Sequence, residues 1–160
     1  MQRRQVAKWL PVSSRTCKER LRAAEIGFLL HDNRLLLSLM GHFKKLKAWE
    51  HARALAILSK PVIERLPSTE KSGLADQWRR AASSVVLNIA EGASRRGAKE
   101  FRKHLDIARS SLDEIEAIID LAVGLGYFSR EDVGKVSAVR DECARTVFGL
   151  IRKLGIPVSS

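Results

Sequence analysis

The chain has 160 residues, 45% of them hydrophobic and 29% charged, a balance typical of one globular domain rather than of a disordered or membrane-spanning chain. The 29 Lys and Arg outnumber the 18 Asp and Glu, and this net charge of +11 favours a polyanionic partner; a solubilising surface is the alternative. Cys17 and Cys143 lack CxxC or Cys/His spacing, which argues against a disulfide framework and a structural zinc site and favours a reducing cytoplasm.

Residues 1–39 differ from the rest of the chain. They are rich in arginine, poor in acidic residues and show little sustained helical period, so we expect a basic extension that is poorly ordered or weakly helical. The segment that begins at Met40 reads like a natural protein start. Our hypothesis is that residues 1–39 are an upstream extension; a nucleic-acid-binding arm and a targeting sequence are the alternatives. The bundle domain is predicted over residues 40–156.

The first predicted helix runs from Phe43 to about Ser59. Its apolar face is expected to contain Leu46, Trp49, Ala52, Leu55, Ala56 and Leu58. Pro61 either kinks this helix near Lys60 or ends it, in which case a short separate turn follows, because proline within a helix loses a hydrogen bond and clashes with the preceding turn.

The middle of the chain predicts a helical hairpin. The second helix begins near Ser68–Gly73 and runs to Glu91, and Gly92 is expected to end it with a positive φ. The third helix is predicted from about Ala98 to Val123. Its apolar residues alternate at spacings of four and three, as in helices packed side by side: Phe101, Leu105, Ala108, Leu112, Ile115, Ile119 and Ala122.

The fourth helix is predicted from Arg130 to Leu154, with Ser129 as its N-cap and Cys143 within its apolar stripe. The short connections favour antiparallel neighbours. The sequence therefore predicts an all-α fold, an antiparallel up-down-up-down four-helix bundle. With the hairpin turn at residues 92–97, Asn88 is expected opposite His104, and small residues are expected to let the two helices approach closely.

The densest group of cations is the candidate nucleic-acid-binding site. Cations at the start of a helix oppose its dipole, whereas the free backbone N–H groups there attract an anion such as phosphate. The alternative is that these residues form ion pairs, Arg79 and Arg80 with Glu91, Glu100 or a neighbouring subunit. The group comprises Arg79, Arg80, Arg95, Arg96, Lys99, Arg102 and Lys103.

A second set of polar residues is predicted to be structural. Asn88 lies on the core side of the second helix, where its amide needs partners; we expect Glu91 and His104, with Ser111 or Glu114 as further candidates. Glu100 and His104 are four residues apart, but two ligands do not make a metal site, so no metal or cofactor is expected. The sequence contains no P-loop, Rossmann glycines, HExxH motif or nucleophile elbow, and no enzymatic activity is predicted.

Residues 43–154 resemble the family of 23S rRNA intervening sequence proteins. The residues that carry the resemblance are Asn88-Ile-Ala-Glu-Gly92 and Lys99-Glu-Phe101, with Trp49, Arg79, Arg80, Ser84, Leu105, Ser111, Leu112 and Tyr127 around them. The resemblance implies an all-helical protomer that forms a homopentamer. It also implies kinship with the accessory protein of diversity-generating retroelements, which works beside a reverse transcriptase and nucleic acid.

These observations together predict a non-enzymatic, oligomeric, cytoplasmic accessory protein. The expected partners are RNA or DNA and, by resemblance, a protein such as a reverse transcriptase; no membrane association is expected. The alternative is a protein–protein scaffold without direct nucleic-acid binding.

Overall fold

The computed structural model describes residues 42–155, so the predictions for residues 1–39 and for Cys17 lie outside the described part of the chain. Four α-helices and no strand are present within these residues, and the predicted all-α four-helix fold is confirmed. Two short 3-10 turns, Phe43–Lys45 and Ser68–Glu70, precede the first and second helices. The helices are α1 (Lys47–Ile63), α2 (Leu74–Ser94), α3 (Ala98–Gly124) and α4 (Arg130–Lys153).

The contacts between α1 and α4 have the order expected of two antiparallel helices. Near one end of α1, the Cys143 thiol of α4 lies 3.7 Å from the Ala48 carbonyl oxygen. Beyond the other end of α1, Arg65 pairs at 2.6 Å with Asp132, close to the start of α4. Together with the α2–α3 contacts below, these pairs favour the up-down-up-down arrangement.

Each helix buries a stripe at the predicted helical spacing. The predicted stripe of α3 is fully confirmed, and Cys143 is buried as predicted, which raises the pKa of its thiol to about 12. In α1 the prediction for Leu58 is wrong, because Leu58 is 37% exposed. The buried stripe of α1 follows a four-three alternation that leaves position 58 outside: Ala48, Ala52, Leu55, Ser59 and Val62.

The buried stripe of α1 includes one polar residue, Ser59. Ser59 is fully buried and accepts a hydrogen bond at 3.2 Å from Nε1 of Trp78, itself fully buried. This bond satisfies the indole N–H in the core, so a serine can occupy a fully buried position of α1. The helix also continues through the exposed Pro61 to Ile63, so the alternative in which it ends before Pro61 is wrong. Pro61 lies in the last turn, so it removes one backbone hydrogen bond to the preceding turn and no long stretch of helix follows the disturbance.

Gly92 does not end the second helix, and its predicted positive φ is wrong. The helix continues to Ser94, and the positive φ belongs instead to Gly97, at +93°, immediately before α3. A Cβ atom on Gly92 would lie 2.6 Å from Cβ of His104 and 2.8 Å from Cδ2 of Phe101. Gly92 is therefore present because α3 passes too close for any side chain.

A line of hydrogen bonds joins α2 to α3 beside this contact. Oδ1 of Asn88 lies 3.2 Å from Nδ1 of His104, as the predicted register requires. The Asn88 amide nitrogen donates to the Ser84 carbonyl at 2.9 Å and to its hydroxyl oxygen at 3.1 Å. Ser111 donates to Ser84 Oγ at 2.8 Å. Since the Asn88 oxygen is the acceptor, Nδ1 of His104 is assigned the proton. The expected partnership of Asn88 with Glu91 is wrong, because Glu91 pairs with Arg95.

The opposite end of the bundle is held by interlocking polar contacts. Oε2 of Glu70 accepts from the backbone N–H of Leu74 at 3.3 Å, and its Oε1 accepts from the Tyr127 hydroxyl at 3.0 Å, which raises the tyrosine pKa. Ser129 caps α4 as predicted, in a reciprocal capping box with Asp132. The hydrogen bonds from Ser129 and Arg65 lower the pKa of Asp132. The two connections at this end, between α1 and α2 and between α3 and α4, are thereby fastened to helix ends.

We expect Gly92→Ala to destabilise the fold by about 1–3 kcal/mol, because the added methyl group forces α2 and α3 apart. Gly134→Ala in α4 is the matched control, since a Cβ atom there meets nothing within 4 Å. That substitution should stabilise the protein by about 0.5–1 kcal/mol through helix propensity. Urea unfolding monitored by circular dichroism measures both, and equal effects at the two sites would contradict the close approach.

A double-mutant cycle measures the coupling free energy between Asn88 and His104. Asn88→Ala should cost about 1–3 kcal/mol, because it leaves a half-buried imidazole N–H without its acceptor. Combined with His104→Ala, the cycle should give a coupling energy of about 0.5–1.5 kcal/mol. Ser83→Ala is the control, because Ser83 is exposed on the same helix and bonds only to the Arg79 carbonyl. A coupling energy near zero would mean that this bond does not help to set the register.

Candidate nucleic-acid interface

The loop between α2 and α3 presents cations at one tip of the bundle. Ser94 ends α2, Arg95 is extended, and Gly97 adopts the left-handed φ that lets the chain reverse before Ala98. No side chain caps the start of α3. Backbone N–H groups at that helix start are therefore available to an anion, with Arg96 and Lys99 on either side.

Four of the predicted cations are exposed and form ion pairs with acidic residues about one helical turn away. Arg95 pairs with Glu91, and Lys103 pairs with Glu100 at 2.8 Å, which lowers the pKa of Glu100. Arg79 and Arg80 both lie 3.3 Å from Asp76, so the alternative in which they pair with Glu91 or Glu100 is wrong. These exposed pairs between neighbouring turns are weak, and a phosphate group can replace the carboxylate.

The other three predicted cations divide by burial. Arg102 is 6% exposed, with Nε 2.9 Å from Asp106, so it belongs to the helix packing rather than to the surface. Arg96 and Lys99 are exposed and have no ion-pair partner among residues 42–155. The tip of the loop thus retains two cations that are not held in an ion pair.

Arg79 and Arg80 are not brought to this tip. From Arg80 to Ser94, α2 rises about 21 Å. The seven predicted cations therefore do not form one site: Arg95, Arg96, Lys99 and Lys103 surround the loop, Arg79 and Arg80 lie along α2, and Arg102 lies inside.

Four cations that the prediction did not include lie at the same end as the loop. Lys44 and Lys45 form most of the 3-10 turn before α1, and Arg152 and Lys153 occupy the last turn of α4. The antiparallel contacts place the start of α1 and the ends of α2 and α4 together with the start of α3. The predicted helix order already implied this grouping. We call Lys44, Lys45, Arg96, Lys99, Arg152 and Lys153 the basic tip.

Acidic groups with perturbed pKa values do not converge on the basic tip as a catalytic set. A hydrogen bond from Lys103 lowers the pKa of Glu100 in α3, and one from Arg145 lowers that of Glu142 in α4. Asp132 lies at the far end of α4. Within residues 42–155, no cluster of three or more His, Cys, Asp or Glu side chains could hold a metal ion. Nor does any helix in this range have the length and apolarity needed to cross a bilayer.

Comparison with solved structures finds the same fold elsewhere. One match is the crystal structure of a protein of unknown function from the S23 ribosomal protein family of Bacteroides thetaiotaomicron VPI-5482. It is 20% identical, the alignment covers 66% of this chain and 95% of that chain, and the TM-score is 0.61. At this identity the likeness concerns the fold alone.

Comparison with curated proteins finds no match. Comparison with family profiles finds a match. The profile of the 23S rRNA-intervening sequence protein matches residues 44–149, which include all but a few residues of the described bundle. The match covers well over half of the chain and confirms the family expected from the Asn88–Gly92 and Lys99–Phe101 runs. The chain belongs to the 23S rRNA-intervening sequence protein family.

Proposed function

We propose that this protein is a non-catalytic, homo-oligomeric accessory protein that binds the phosphate backbone of RNA or DNA through the basic tip. The observation that carries the proposal is the pair Arg96 and Lys99. Both are exposed and without an ion-pair partner in residues 42–155, and they flank the uncapped start of α3. Positive charge at a helix start opposes the helix dipole, so helix stability does not account for it.

The remaining cations of the tip extend the charged surface across the bundle end. Lys44 and Lys45 lie in the 3-10 turn before α1. Arg152 and Lys153 lie in the last turn of α4, where positive charge complements the helix dipole. A polyanion that contacts several helix ends can engage more phosphates than one loop could, and each contact releases counterions.

The nearby aromatic side chains favour backbone binding over base stacking. Phe43 and Trp49 are half-buried and pack edge to face, with ring centroids 5.0 Å apart and an interplanar angle of 66°. The edge of one ring meets the face of the other, and both side chains pack against the bundle core. Contacts made mainly by cations and backbone N–H groups position a nucleic acid without reading its sequence.

The oligomeric part of the proposal rests on exposed apolar side chains of the hairpin. Leu87 of α2 is 64% exposed and Ile107 of α3 is 48% exposed. They lie at similar levels of the two helices, beside the Asn88–His104 bond. A second copy packed on this face would bury both. Each copy would then add its own basic tip to the assembly and strengthen weak phosphate contacts by avidity.

Charge reversal tests the nucleic-acid proposal. Arg96→Glu combined with Lys99→Glu should weaken binding of a labelled RNA hairpin or DNA duplex by about tenfold or more at low salt. The slope of log affinity against log salt should fall by about 1 for each phosphate that is no longer neutralised. Fluorescence anisotropy across a salt series measures both quantities.

The control is Lys71→Glu combined with Lys135→Glu, which makes the same change in net charge away from the tip. Both lysines are exposed and have no ion-pair partner in residues 42–155. Equal losses of affinity in the two double variants, or wild-type binding that is independent of salt, would contradict the proposal. A captured protein, such as a reverse transcriptase, that survives both nuclease treatment and the tip reversal would instead favour the scaffold alternative.

Substitution of the exposed apolar pair tests self-association. Leu87→Glu with Ile107→Glu should convert the oligomer to monomer while leaving the helical circular dichroism unchanged, because both side chains are exposed. Leu121→Glu is the control, since Leu121 is 50% exposed in the later part of α3. Sedimentation velocity gives the mass of each variant, and a monomeric wild type would contradict this part of the proposal.

A further inference from the structure

A cleft between α1 and α2 is separate from the basic tip. Its volume is about 480 Å³, within the range of ordinary small-molecule sites. It lies between the last turns of α1 and the first turns of α2, near the end of the bundle where Glu70 contacts Leu74 and Tyr127. Nothing in the nucleic-acid proposal uses it.

The cleft exists because small side chains line it on both helices. Ala56 of α1 and Ala75 and Ala82 of α2 contribute to the lining, and larger residues at these positions would fill the space. Ile63 and Leu66 complete an apolar wall. Carbon-lined space of this kind holds water poorly and gains free energy when an apolar group enters.

The rim of the cleft is cationic. Three basic side chains line it, Lys60, Lys71 and Arg79, against the single acidic residue Glu64. Lys60 pairs with Glu64 at 2.6 Å, and Arg79 pairs with Asp76, which lies outside the lining. Lys71 is exposed and has no ion-pair partner within residues 42–155. An anionic group at the rim would therefore meet an unmatched cation.

We propose that this cleft binds a single-chain aliphatic carboxylate, with the chain against the alanine-lined wall and the carboxylate at Lys71. The apolar wall requires an apolar body, and the rim requires a negative charge at one end. The lining spans only about two turns of each helix, about 12 Å, which suits a small amphipathic molecule better than a peptide helix.

Laurate below its micellar concentration is the probe, and dodecanol is the matched uncharged probe. With the alanine methyl groups labelled, NMR should show laurate shifting the signals of Ala56, Ala75 and Ala82. Ala108 and Ala122, fully buried in α3, should not shift. Calorimetry should give weaker binding for dodecanol than for laurate. Equal binding of the two, or shifts that do not include the three cleft alanines, would overturn the proposal.

Two variants test the wall and the rim separately. Ala56→Leu should weaken laurate binding by about tenfold or more, because the larger side chain fills the cleft from a partly buried position. Lys71→Glu should weaken it by about three- to tenfold and cannot disturb the core, since Lys71 is exposed. Lys135→Glu is the matched charge control and should leave laurate binding unchanged.

The basic-tip variant keeps this test independent of the nucleic-acid proposal. Arg96→Glu with Lys99→Glu should leave laurate binding unchanged, and Lys71→Glu alone should leave nucleic-acid binding nearly unchanged. Unchanged laurate affinity in both cleft variants would overturn the cleft assignment. A cleft variant that changes the sedimentation mass but not laurate binding would mean that a second copy covers the cleft, and would also overturn it.

Discussion

The close approach of α2 and α3 at Gly92 is the constraint on which the rest of the bundle depends. At this point Cβ of His104 and the ring of Phe101 occupy the space where a side chain would stand. The approach holds the two helices in one register, in which Asn88 meets His104 and Ser84 meets Ser111. It also fixes the short loop that carries Arg95 and Arg96, and so sets the position of the cationic surface.

Much of this arrangement could be predicted from the spacing of apolar and small residues. The stripe of α3, the Ser129 cap and the pairing of Asn88 with His104 follow from helical periodicity and a short turn. The role of Gly92 could not be read in this way, because a glycine needed for a turn and a glycine needed for close packing are identical in sequence. Only the position of Phe101 and His104 decides between them.

The candidate site could be predicted less completely, because a sequence does not show where long charged side chains point. Burial of Arg102 and the pairing of Arg79 and Arg80 with Asp76 depend on rotamers that composition does not fix. The cations that the prediction left out, Lys44, Lys45, Arg152 and Lys153, are far apart in sequence. The fold brings them together because helix starts and helix ends alternate around an antiparallel bundle.

The two ends of the bundle differ in how firmly their connections are fastened. Glu70 links the start of α2 to Tyr127, and Asp132 links Ser129 to Arg65, whereas no side chain caps the start of α3 beside Arg96. Backbone amides of residues 94–100 should consequently exchange with deuterium sooner than those around residues 127–132. Under the proposed nucleic-acid binding, a less firmly fastened loop at the basic tip would adjust to the backbone of the polymer while the fastened end holds the four-helix core.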